Sequence, residues 1–83
     1  MSSPNGMCLF AEALFVTSVQ PSDTPSTEQV RAAVAGALRR HGRSGCAALV
    51  ALEFGEHPEC AVPRMDWALH TIERAFATRT SAA

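Results

Sequence analysis

A single apolar stripe near the C-terminus constrains this chain most. Met65, Leu69, Ile72 and Phe76 recur at spacings of four, three and four, with Ala68 and Ala75 alongside. At 3.6 residues per turn these positions share one face, so the spacing predicts an amphipathic helix that must lie against other helices. Pro63 sets its start. A proline inside a helix removes one backbone hydrogen bond and crowds the preceding turn, so the helix is expected over Pro63 to Ala77, with Val62 just outside it. Glu56 to Cys60 then forms a separate turn, with Pro58 at its first helical position.

Two further helices precede this one. Ser26 followed by Gln29 makes a capping box, and Glu28 places a negative charge in the first turn. Val30, Ala33, Val34, Ala37 and Leu38 then supply one buried stripe. Arg39, Arg40 and His41 load the last turn with basic groups, and Gly42 stands where a left-handed residue is wanted. The pattern predicts a helix over Thr27 to His41. Ser44 can cap a short buried helix from Gly45 to Phe54, which stops at Gly55.

Residues 1–6 read as a polar tail and 20–25 as a linker containing Pro21 and Pro25. Between them the large residues of Met7 to Val19 form no single stripe, since Phe10 and Leu14 face one way and Leu9 and Val16 another. Helix and strand both remain open for this segment. A domain of 83 residues can hardly bury it on every side, because folding at this size hides only about 60–65 % of the chain's surface. A symmetric dimer through Met7 to Val16, with Leu9, Phe10, Leu14, Phe15 and Val16 at the contact, covers it most simply. The domain layout is therefore a tail (1–6), an apolar segment and linker (7–25), a helical core (26–77) and a frayed end (78–83).

Composition narrows the functional classes. Of the hydrophobic residues, 15 are Ala, each of which buries far less surface than a Leu or Phe, so the large side chains are expected to form the core. That core is Val34, Leu38, Leu49, Leu52, Phe54, Met65, Leu69, Ile72 and Phe76. A net charge of −1 supplies no field to gather nucleic acid or anionic lipid. The 3 Cys are too few and odd in number for a disulfide scaffold, which fits a reducing, cytoplasmic setting. The longest apolar run, Met7 to Val16, falls far short of the roughly 20 residues of a membrane span and lacks the flanks of a signal peptide.

Ala51, Phe54 and Gly55, followed by Val62 and Met65, resemble a helix-turn-helix: a small residue at a helix contact, an apolar residue, a turn glycine and apolar anchors on a second helix. The resemblance covers Ala47 to Leu69. It departs from the pattern in its spacing after Gly55 and in the delay that Pro63 imposes on the second helix. The chain as a whole is similar to small helical proteins of actinomycete genomes, a likeness that implies no function.

With Met65, Leu69 and Ile72 inward, Arg64, Trp67, Thr71 and Arg74 turn outward with His70 at their edge, a candidate contact patch for a protein partner or for DNA. Acidic Asp66 and Glu73 on the same helix, and Glu56 and Glu59 in the turn, disfavour phosphate. Trp67 has a second reading, packing beneath Met7 to Val16. Cys46, His57 and Cys60 contain one close ligand pair where zinc sites usually present two, so no metal site is assigned. His41 reads as a helix-end charge rather than a catalyst. No activated nucleophile and no glycine-rich phosphate loop is present, so neither a cofactor nor an enzymatic activity is expected.

The sequence thus predicts an all-α domain of three or four helices with a helix-turn-helix-like pair. Its expected role is that of a non-enzymatic regulatory or protein-interaction module, with a DNA-binding regulator as the alternative.

Overall fold

The computed structural model describes residues 5–76. They form three α-helices, α1 (Asn5–Phe15), α2 (Thr27–Glu56) and α3 (Pro58–Phe76), with a 3-10 turn at Pro21–Asp23. No strand occurs among the described residues, so the all-α expectation holds and the apolar N-terminal segment is a helix. That helix takes in Asn5 and Gly6, which the sequence assigned to the tail. Residues 1–4 and the expected frayed end lie outside the described residues.

The start of α2 follows from its sequence. Ser26 Oγ accepts from the Gln29 backbone N–H at 3.1 Å, and Gln29 Oε1 accepts from the Ser26 N–H at 2.8 Å, which closes the predicted capping box. Gly42 breaks the helix into two limbs, with φ 72° and ψ 174°. This region of the map is open to glycine and essentially to nothing else. Gly45 stands at a close approach: a Cβ there would lie 3.0 Å from the Cβ of His41, across the bend.

The bend lets α2 touch α1 with both limbs. The first contributes Val30, Val34 and Ala37 to the core, and the second contributes Cys46 and Val50. α3 closes the third side with Ala61, Ala68, Ile72 and Ala75. Between them α1 is buried over more than half its circumference, since Ala11, Ala13 and Leu14 are fully covered and Phe15 is 5 % exposed. The expectation that so small a domain leaves this segment uncovered is corrected. Alanines on both α1 and α3 let the helix axes approach closely, so less chain is needed to enclose it.

Replacing Gly42 by Ala is expected to cost about 1–3 kcal/mol, the strain of forcing a Cβ into this conformation. Nothing stands within 4 Å of the added atom, so no clash contributes. Urea midpoints measure it, and a wild-type midpoint would mean that the limbs do not require the glycine.

Three predicted boundaries and faces are corrected. α3 begins at Pro58 and carries Pro63 within it, so Val62 is helical. The bond Pro63 forfeits would have gone to the Glu59 carbonyl, and both residues are exposed, so the acceptor is not sealed from solvent while the first turns of α3 bury Ala61. The second limb of α2 runs past Gly55 to Glu56, leaving only His57 (φ −139°, ψ 63°) between the helices. Finally, Leu49, Leu52 and Leu69 are 39 %, 54 % and 37 % exposed and lie outside the core, whereas Val34 and Ile72 are inside. Leu38, Phe54, Met65 and Phe76 are half-buried.

Candidate functional site

Arg64, first of the expected outward residues of α3, is turned against α1. Its Nε donates to the Phe15 carbonyl at 2.8 Å and its Nη2 to the Thr17 carbonyl at 2.9 Å. These acceptors lie at and just beyond the C-terminus of α1, a helix without a basic residue in its own last turn, so the guanidinium satisfies orphaned carbonyls and opposes the negative helix end. It sits 5.0 Å from the Trp67 ring and 5.6 Å from the Phe15 ring. Burial pushes its pKa down from the ordinary arginine value. Arg31 does the same for α3, donating to the Ala75 carbonyl at 3.0 Å with its guanidinium over Phe76.

The outward patch is therefore corrected at two positions. Arg64 is committed to α1, and Thr71 is buried, its Oγ1 without a hydrogen-bond partner among the described residues. Trp67 is half-buried and packs against the core cluster that joins all three helices. His70 and Arg74 are exposed. The His70 Nδ1 lies 2.9 Å from the Asp66 carbonyl and 3.7 Å from its carboxylate. These five residues do not form one accessible surface.

The expected dimer contact changes in the same way. Leu14 and Phe15 are covered by this chain's own helices, and Leu9, Phe10 and Val16 are half-buried. Phe10 packs against Phe76 with ring centroids 4.8 Å apart. The shortage of covering surface that motivated a contact through this segment is absent.

Exposed apolar surface appears elsewhere, in two hollows that the second limb of α2 helps to line. One hollow of about 280 Å³ is lined by Phe15, Val16, Leu49, Leu52, Glu53 and Arg64. A second, of about 390 Å³, is lined by Phe54, Val62, Pro63, Met65, Asp66 and Leu69. Phe15 lines the first and Phe54 the second, and their rings stack with centroids 5.9 Å apart. Both hollows open to solvent along their length, unlike the enclosed clefts that bury most of a small ligand. Leu52 and Val62 (57 % exposed) stand at their rims.

No family profile, curated protein or solved structure matches the chain. What the surface can do rests on its own chemistry.

Of the three thiols, one is withdrawn from solvent. Cys46 is buried in the core, where burial first and the charge of Glu12 second push its pKa up and keep it a neutral thiol. Cys8 and Cys60 are exposed and unbridged. His57 lies at the α2–α3 joint, and no group of three His, Cys, Asp or Glu side chains gathers among the described residues. No described helix is long and apolar enough to cross a membrane.

The sequence missed these hollows because it assigned their leucines to the core. A signal existed in the seven-residue spacing of Ala61, Ala68 and Ala75, which marks a face built for close helix contact and leaves Leu69 and Val62 beside it.

Proposed function

We propose that this chain is a non-enzymatic protein-interaction module of a reducing compartment such as the cytoplasm, and that the paired hollows beside the second limb of α2 are its contact surface. One observation carries this reading: four large aliphatic side chains, Leu49, Leu52, Val62 and Leu69, remain exposed around two open apolar hollows. Single exposed leucines are ordinary, but a cluster of them around a groove marks an interaction site. Three unbridged cysteines, one of them in the core, fit the reducing setting.

Site-specific photo-crosslinking in cells tests it. A crosslinker at Leu52 or Leu69 is expected to capture one recurring protein, identified by mass spectrometry, while the same group at Ala35 on the exposed face of the first limb captures none. Leu52→Glu, at a position too exposed to disturb folding, is expected to abolish the Leu69 adduct. Equal labelling from Ala35 and Leu69 would overturn the reading.

The helix-turn-helix alternative keeps one supporting feature, two helices joined closely at His57. Against it stand Glu56 and Glu59 at the joint and the commitment of Arg64 to α1. A DNA probe is expected to show no shift with micromolar protein at about 50 mM salt, where phosphate contacts are still strong. A shift that fades steeply with salt and weakens in Arg74→Ala would put a DNA-binding regulator in place of the module.

A further inference from the structure

Building on the interaction-module reading, we propose that the two hollows together seat an amphipathic helix of a partner protein whose apolar stripe is flanked by basic side chains. Each hollow holds a carboxylate among its apolar residues, Glu53 in one and Asp66 in the other. Glu53 is half-buried and has no ion-pair partner among the described residues. A carboxylate beside leucine and phenylalanine offers a cation of a partner a charge-assisted hydrogen bond at the edge of an apolar surface. Asp66 has only His70 nearby, at 3.7 Å, an imidazole charged only when protonated. Exposed Glu56 and Glu59 add negative charge at the α2–α3 joint, where the carbonyl end of α2 also points.

The chain's own cations offset only part of this field. Arg64 lines the first hollow and keeps its charge there beside Glu53, since its Nε and Nη2 are bonded only to the neutral carbonyls of Phe15 and Thr17, so the acidic surplus comes from Asp66, Glu56 and Glu59. Arg39, Arg40 and Arg43 cluster around Gly42 at the far end of the limb, and Arg43 is roughly 15 Å from Glu53 along the helix.

Charge also selects among occupants. A second copy meeting this one through a two-fold axis presents the same patch to itself, so carboxylates would face carboxylates. An open apolar groove with acidic rims instead matches a helix bearing leucine-like anchors at i, i+3 or i+4, and i+7, with Lys or Arg beside them.

The test uses the full chain, labelled for amide NMR, and two synthetic helical peptides of about 18 residues, long enough to hold helical structure. Both carry the same leucine stripe, flanked by Lys in one and by Glu in the other. The Lys peptide is expected to bind at least about tenfold more tightly, with shifts clustered at residues 49–54 and 62–69. Glu53→Lys combined with Asp66→Lys is expected to reverse the preference, with the amide spectrum of the variant checking that it keeps the wild-type fold. Equal binding of both peptides would overturn the basic partner while leaving the interaction surface and its crosslinking test intact. Binding of neither peptide to the folded chain would overturn the groove as a helix seat. A dimer in sedimentation equilibrium that Leu52→Glu dissociates would assign the face to a second copy, and would also overturn the proposal.

Discussion

Replacing Ile72 by Ala is expected to remove about 2–5 kcal/mol of stability, a large part of what so small a domain holds. The same change at Leu69, one turn earlier on α3, is expected to cost about 1 kcal/mol or less. Ile72 is fully buried in the cluster that joins Ala11, Leu14, Val34 and Cys46, so truncation leaves a cavity walled by all three helices. Leu69 is more than one-third exposed at the rim of a hollow and loses only part of its transfer energy. Urea unfolding of the two variants decides the matter, provided their slopes match that of the wild type. The opposite order of costs would mean that α3 is rotated about its axis relative to α1.

That contrast shows what the sequence could and could not convey. The cap of α2 and the break at Gly42 were legible because they are local, Ser26 and Gln29 bonding each other within one turn and Gly42 taking a positive φ, whereas the breaks expected at Gly55 and Pro63 are overridden by the packing of the helices. The buried face of α3 was not legible, because the large residues Met65, Leu69 and Ile72 and the small residues Ala61, Ala68 and Ala75 suggest stripes rotated relative to each other. Hydrophobicity per residue favours the large set. Close packing against an alanine-bearing α1 favours the small one, and its advantage exists only once the helices are brought together. Thr71 follows from the same rotation, drawn inside although its hydroxyl has no partner there.

The candidate site inherits this limit. Leu49, Leu52 and Val62 become a surface only because alanines and Cys46 take the inner positions, so a reading that filled the core with leucines could not have found a groove. Arg64 was equally opaque, since its acceptors lie 47 to 50 residues away in sequence.

Arg64→Ala is expected to cost about 2–3 kcal/mol, because hydrogen bonds from a charged donor are worth more than neutral ones and the acceptors are left in a partly dry setting. The carbonyls of Phe15 and Thr17 lose their donor, and Leu14 keeps the Thr17 hydroxyl at 2.7 Å. Arg64→Lys is expected to recover less than half of the loss. An ammonium cannot reach two carbonyls with a planar fork while lying over the rings of Trp67 and Phe15. Two further readouts separate this clamp from a surface charge. Trp67, the only tryptophan, should change its fluorescence in Arg64→Ala under native conditions. The amides of Val16 and Thr17, which bond back to Glu12 and Leu14, should exchange faster as the end of α1 frays. Should stability, fluorescence and exchange all match the wild type, the guanidinium is free in solution, and the outward patch with its DNA-binding alternative regains the residue it most needs.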